Sequence, residues 1–365
     1  MRPVTRGDRA LFRPAVVVAA FYGAAVIALL GTHGWDPRFF ATIGPEWERH
    51  DPGLRKQADG AIFFEFATDP SSAAQHRERR RTARILYPVA AHVLALGHAS
   101  LVGWSLVAVN LAAIPLGTEI LHRLLERRGL SPWAALAYGA WCGSGLALLH
   151  DTSEPLAYLC ALVGIDAQER GRPALAGLAF LGALLTRETA LLLVAPFLLV
   201  RRNGRVAMRW LAPLIVLAAW GVWLAVVALV GTGTMAPAHE KPIPPLVGYL
   251  ATRPLDLPVT VLCLVAPALI VLGWAARELR RQPGNPALWA AALNAFFVMW
   301  FPPKTAAILW HSGRLATGFV VATLLAEPLA ASAPRLWRVL TLLFAGSVCW
   351  TVAVIARYLF WEVAP

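Results

Sequence analysis

The chain runs to 365 residues, 58% of them hydrophobic and only 15% charged, with a mean hydropathy of +0.58 and a formal net charge of +12. Soluble domains carry about 25% charged residues, so this composition excludes an ordinary soluble protein. The basic excess invites a nucleic-acid partner, because basic patches attract phosphates. Lysines and arginines that flank membrane spans and fix their orientation explain it better, and no nucleic acid is expected.

Apolar stretches long enough to cross a bilayer, roughly 17–25 residues each, recur from end to end. The first covers 11–31. No small-residue cleavage site follows it and many further spans do, so it reads as a retained anchor rather than a signal peptide. A long polar stretch over 32–84 comes next, and the apolar segment 85–96 is too short to span. Spans then fall at 102–125, 132–149 and 155–167. The segments 173–185 and 190–200 are each too short to cross alone, since a crossing takes about 20 helical residues. Arg172 precedes the pair and Arg201-Arg202 follows it, which predicts a hairpin entering and leaving on one side, with its tip at Thr186-Arg187-Glu188-Thr189. Spans at 206–230, 255–276, 286–301, 305–326 and 336–360 complete the chain. The expected fold is all-α, a polytopic transmembrane helical bundle of about 10–11 spans. It forms one integral membrane domain over 1–365, with 32–84 as a large first extracytoplasmic loop.

Basic residues orient the bundle. With the N-terminus inside, the cytoplasmic segments hold 18 of the 33 basic residues, among them Arg13, Arg123, Arg127, Arg128, Arg170, Arg277, Arg335 and Arg338. The outer side holds six, Arg187, Lys241, Arg253, Lys304, Arg314 and Arg357. The remaining nine lie in the first long loop, and long loops translocate despite their charge. The expected location is the cytoplasmic (inner) membrane, multi-pass, with a cytoplasmic N-terminus.

Cys142, Cys160, Cys263 and Cys349 each lie alone in an apolar span, so they read as small hydrophobes and not as a disulfide or metal set. GxSxG, HExxH, EF-hand and P-loop patterns are absent. No cofactor is expected, although isolated acids leave a weakly held divalent ion open.

The ionisable residues that remain converge on one face. The first loop carries Asp59-Gly60, Asp69-Pro70 and an arginine run from Arg77 to Arg84. The connection His150-Asp151-Thr152-Ser153-Glu154-Pro155, the Arg187-Glu188 tip and the His311–Arg314 turn fall on the same side. Ionisable groups from separate spans gathered on one face mark a site. Each also has a plainer reading. Glu154 suits the start of a helix as a dipole-compensating acid, with Thr152 or Ser153 as the cap. Arg187 and Glu188 suit a mutual clamp, and Arg77 to Arg84 suits headgroup contact.

The stretch from Ala58-Asp59-Gly60 through Phe63-Phe64-Glu65-Phe66-Ala67 to Asp69-Pro70, followed by Arg84-Ile85-Leu86-Tyr87-Pro88, resembles the first outer loop of the GT-C membrane glycosyltransferases. Ser153-Glu154-Pro155-Leu156 resembles the Ser-Glu-x-Leu turn of the mannosyltransferases in that superfamily, and Thr186-Arg187-Glu188-Thr189-Ala190-Leu191-Leu192 resembles their mid-chain Arg-x-Thr-Gly-like segment, with Ala190 in place of the Gly. The resemblance covers mainly 10–205. It implies sugar transfer from a polyprenyl-phosphate donor to a glycan, lipid or protein acceptor at the extracytoplasmic face of the bilayer. A general base takes the acceptor proton, and Asp59 is the first choice. Asp69, whose Pro70 neighbour equally suits a turn, is the second. Burial against the aromatic run is expected to raise the pKa of Asp59 toward the working range. Arg84, Arg187 and Arg314 are candidates for stabilising the departing lipid phosphate, with Tyr87, Glu154 and Glu188 as substrate-binding candidates. The competing classes are a lipid-linked sugar flippase or transporter, which would show inverted repeats, and a non-catalytic scaffold of the same architecture.

Overall fold

The computed structural model describes residues 13–41, 59–71, 79–200, 206–230, 257–301, 305–306 and 309–360. Arg77, Lys241, Arg253 and Lys304, all named above, lie outside them. Every regular element among the described residues is helical. Five helices there are long and apolar enough to cross a membrane: Pro14–Thr32, Ala99–Arg127, Pro213–Val230, Leu257–Leu279 and Pro334–Phe360. Shorter apolar helices, Pro173–Thr186, Glu188–Leu199 and Pro286–Met299, complete the apolar set.

The frame is a pair of helices charged at both ends. Helix α1 (Pro14–Thr32) packs against α4 (Val102–Arg127), which also packs against α6 (Glu154–Glu169). At one end of this group Arg127 meets Asp166 at 2.6 Å and Glu169 at 3.1 Å, while Arg128 bridges Glu169 and Glu327. Arg13 joins the same layer through Glu119 at 2.8 Å. Glu154 opens α6 at the opposite end, about 20 Å away at 1.5 Å of rise per residue. An apolar slab about 20 Å deep thus lies between two ionic layers along α6, shorter than the ~30 Å hydrocarbon core of a typical bilayer.

The first loop is more ordered than a polar linker. It contains a helical turn at Arg38–Ala41, helix α2 (Asp59–Thr68) and a further turn at Arg79–Thr82. Ile62, Phe63, Phe66 and Ala67 line one side of α2 at helical spacing, and all four are buried. They seat α2 against α3 (Leu86–Leu94) and α4. The apolar segment 85–96 is therefore α3, a separate short helix. It ends in a turn where Leu96 (φ 52°) and Gly97 (φ 76°) adopt left-handed backbone, which reverses the chain into α4.

Three expected continuous spans are interrupted, among them 336–360, which breaks at Ser347 between the helices Pro334–Gly346 and Val348–Phe360. The stretch 132–149 folds as a 3-10 turn (Pro132–Ala135), a single turn at Leu136–Gly139 and, after a break at Ala140-Trp141, helix α5 (Cys142–Leu149). The break exposes backbone groups that need new partners in an apolar interior. Ser347 Oγ supplies one by accepting from Cys142 N at 2.9 Å.

The expected hairpin is present. Helix α7 (Pro173–Thr186) runs up beside α6, and α8 (Leu191–Leu199) returns. The turn between them puts Arg187 beside Glu154 at one end of α6. At the other end Gln168 Nε2 donates to the Phe197 carbonyl at 2.7 Å. Beyond the hairpin lie α9 (Val206–Val230), α10 (Ala266–Leu279, preceded by a π-helical turn at Val261–Val265) and α11 (Pro286–Met299). The expected span at 305–326 is split at Ala316 into α12 (Leu309–Leu315) and α13 (Thr317–Leu324). The four cysteines carry no disulfide; Cys142 and Cys263 are buried, while Cys349 is exposed.

Candidate functional site

Five separate segments deliver charged side chains to one point at the Glu154 end of the bundle. Asp59 opens α2, Arg81 and Arg84 lie just before α3, and Glu154 opens α6. Arg187 and Glu188 form the hairpin tip, and Arg314 comes from α12. Close backbone approaches bring these segments together. A Cβ on Gly60 would overlap the His150 carbonyl oxygen, so α2 lies directly on the α5–α6 connection. A Cβ on Gly143 would overlap the Gly313 carbonyl oxygen, which also accepts a hydrogen bond from Trp141 Nε1 at 2.9 Å. That contact seats the turn carrying Arg314 against α5. Gly143→Ala is accordingly expected to destabilise the protein by about 1–3 kcal/mol through overpacking. Thermal unfolding in detergent checks this, and an unchanged midpoint would show that the two segments part freely.

The carboxylates are held differently. Arg84 forks onto Glu188 through Nε (2.8 Å to Oε2) and Nη2. Arg187 Nη1 lies 3.1 Å from Glu154 Oε1, and Arg314 Nε lies 3.8 Å from the same oxygen. Asp59 faces Arg81 Nε at 3.3 Å and both Arg84 Nη1 and Arg314 Nη2 at 3.7 Å. The mutual Arg187–Glu188 clamp read from the sequence is thereby replaced. Glu188 belongs to Arg84 and Arg187 to Glu154, because the turn aims adjacent side chains to different neighbours. Ser153 occupies the cap position of α6 without making a side-chain cap bond, and Glu154 is 1% exposed, so its partners are arginines and not simply the helix dipole.

Electrostatics correct a second expectation. Burial does push the Asp59 carboxyl upward, but Arg84, Arg314, Arg81 and Arg187 outweigh it and hold the group well below the ordinary carboxylate range. Glu188 behaves alike: burial raises it, and the charge and hydrogen bonds of Arg84 bring it down to about 2. Both groups therefore lend stability that is complete above the unfolded value, about 4. That stability is lost as pH falls through the lower folded values. The stability lost on Glu188→Gln is expected to be constant from pH 7 to pH 5 and to shrink only below about pH 4, as thermal scans of the two proteins in detergent across that range would show.

Beneath these charges lies a layer the sequence reading did not assign. Burial pushes His150 down to about 3, with Arg314 and His311 adding to the effect, so its imidazole is neutral. Burial pushes the Asp151 carboxyl well up, and neither of its oxygens has a hydrogen-bond partner among the described residues. Tyr87 OH accepts from Asn110 Nδ2 at 2.8 Å. Asp151 adopts φ 45°, a left-handed conformation that Asp tolerates better than most residues. Such strain persists where packing over-determines it. Arg81 and His311 also face the cluster. The adjacency of His150 and Asp151 was visible in the sequence, but nothing there shows that both are buried.

Of the residues singled out from sequence, Asp59, Arg84, Glu154, Arg187, Glu188 and Arg314 come together, with Tyr87 directly below them. Asp69 does not join them. It follows the last residue of α2, exposed, accepting from Ser71 N at 3.0 Å and Ser71 Oγ at 2.7 Å. Ten residues of helical rise, about 15 Å, separate it from Asp59. Among the described residues no group of three or more His, Cys, Asp or Glu could hold a metal ion. The assembled side chains number four arginines and three ionised carboxylates, a surplus of one positive charge in a buried setting. Such a site can hold an anion by charge-assisted hydrogen bonds and can present a carboxylate to a proton donor. No protein-family model, curated protein or solved structure matches this chain.

Proposed function

We propose that this protein is a membrane glycosyltransferase of the GT-C type, moving a sugar from a polyprenyl-phosphate donor to an acceptor at the extracytoplasmic face of the inner membrane. The single observation that carries this reading is the convergence of Asp59 with Arg84, Arg187 and Arg314 at one end of a helical bundle fit for a bilayer. In the reaction, the acceptor hydroxyl oxygen bonds to the sugar's anomeric carbon as the bond from that carbon to the phosphate oxygen breaks. Asp59 takes the hydroxyl proton. The arginines receive the negative charge that grows on the departing lipid phosphate, and burial strengthens that interaction. Glu188 and Glu154 hold Arg84 and Arg187 in place for this role. The lipid chain of the donor lies along the apolar helix surfaces that face the bilayer.

Purified protein incubated with polyprenyl-phosphate sugars and candidate acceptors tests the reading directly. Donor consumption that requires Asp59 supports it. An intact donor across the common hexoses, with a folded protein, refutes it. The orientation has its own test. Arg13, Arg127 and Arg128 gather in the ionic layer opposite the site, which supports a cytoplasmic N-terminus under the positive-inside rule. A reporter after Phe40 is expected outside and one after Arg128 inside; finding both on the same side would overturn the arrangement.

A further inference from the structure

The three carboxylates of the site are not equivalent. Glu188 is gripped by two hydrogen bonds from Arg84, one of them 2.8 Å long. Glu154 sits 3.1 Å from Arg187 Nη1, an ion pair in which neither Glu154 oxygen has a hydrogen-bond partner among the described residues. Asp59 is surrounded by three arginines and gripped by none: its nearest nitrogens stand at 3.3, 3.7 and 3.7 Å. Charge-assisted N–H···O bonds close to about 2.7–2.9 Å when the geometry allows. Asp59 is tethered at the start of α2, whose first turn is pinned where Gly60 meets His150, so its oxygens cannot advance toward Arg84 and Arg314. Arg314 is shared between two acids, 3.7 Å from Asp59 and 3.8 Å from Glu154. Arg187 is 3% exposed, and its Nε donates no hydrogen bond among the described residues.

We infer that Asp59 stands, in the ligand-free protein, where the anion of the ligand will bind: it is a resident competitor for Arg84 and Arg314, displaced from them when a phosphate arrives. Arg84 is kept in place by its fork onto Glu188, which does not leave, while Arg314 stands as near to Glu154 as to Asp59. Asp59 neutralises them only loosely, so a mobile phosphodiester with freely placed oxygens makes better bonds to the same nitrogens. Among the described residues, His150, His311, Tyr87 and Tyr158 also face these groups. The inference rests on the proposed donor chemistry for its ligand class, a singly charged phosphodiester bearing an isoprenoid chain, but not on any transfer step.

The consequence is a binding effect opposite to the catalytic one. Removing the Asp59 charge takes the surplus among the seven groups from one positive charge to two, so affinity for the anion should rise. At a separation of about 6 Å and an effective dielectric constant near 40, the repulsion removed corresponds to about a tenfold change in Kd. The test titrates full-length protein in detergent with the methyl diester of farnesyl phosphate, whose charge does not change between pH 5 and pH 8. Dimethyl phosphate serves as the chain-free arm. Asp59→Asn is expected to bind the farnesyl diester about tenfold tighter than the native protein, and Arg314→Gln about tenfold weaker. Equal gains for both ligands would assign the site to phosphate alone, and a gain carried by the farnesyl diester would assign it to a lipid phosphate. Either pattern supports the competitor role. Equal or weaker binding by Asp59→Asn, with its unfolding midpoint unchanged, overturns it. Should Asp59→Asn fail to fold, Asp59→Ser is read by the same criterion, and double substitution with Arg314→Gln must abolish the gain. Tighter binding without transfer from any donor would leave this inference standing and remove the proposed function.

Discussion

Asp59→Asn protein is expected to transfer sugar about 100-fold or more slowly than the native chain, the usual scale for losing a general base. Asn keeps the size of the side chain and much of its hydrogen bonding but accepts no proton. The arginines around Asp59 make the pH dependence informative. They hold its carboxyl well below the ordinary range, so in the free protein the base stays ionised as pH falls. The rate constant kcat/KM, which reports free-enzyme groups, should therefore stay flat from pH 7 to pH 5. A bound phosphate offsets the charge of Arg84 and Arg314 and so weakens their hold on Asp59. The carboxyl then takes up a proton more readily, and kcat should begin to fall at a higher pH than kcat/KM does. Coincident acidic limbs in the two profiles would show that donor binding does not touch the Asp59 environment. Near-native transfer by Asp59→Asn would remove it from catalysis altogether.

The second large effect is on folding. Glu154 is 1% exposed and faces Arg187 at 3.1 Å and Arg314 at 3.8 Å. Glu154→Gln leaves two buried guanidinium groups short of a countercharge, and breaking a buried ion pair from one side costs about 3–5 kcal/mol. The unfolding midpoint in detergent should fall well below that of the native protein. Adding Arg187→Met should recover part of the loss, because the stranded charge goes with it. A midpoint unmoved by Glu154→Gln would mean that the arginines are stabilised by solvent and not by this acid. Glu119→Gln, whose partners Arg13 and Arg123 are exposed and can turn to solvent, should cost less than Glu154→Gln does.

Much of the helical frame was legible in the residues. The span read at 206–230 is the helix Val206–Val230, and those read at 155–167 and 286–301 differ from Glu154–Glu169 and Pro286–Met299 by two residues or fewer at each end. Long apolar runs bounded by arginines, Gly and Pro have few other ways to satisfy their backbone in lipid. The runs read at 132–149 and 305–326 failed for one shared reason. Hydropathy registers how apolar a segment is, not whether a neighbour will cross it at contact distance. The Gly143–Gly313 approach and the Trp141 hydrogen bond to Gly313 are relations between those two segments, so neither sequence shows them alone.

The residues by themselves determined an all-helical body, several helices fit for a membrane, an aromatic run following Asp59, and a set of acids and arginines too costly to scatter in lipid. Those properties follow from composition and short-range periodicity. Only the tertiary structure decided which acid meets which arginine. Arg84 took Glu188 from its chain neighbour Arg187, Asp69 was carried to the far end of its helix, and Asp59 was surrounded by cations that reversed the expected direction of its pKa. Charge pairing acts over a few ångströms of space and is indifferent to distance along the chain. The partners of a buried ion are therefore fixed by packing, which the order of residues specifies only through the whole fold.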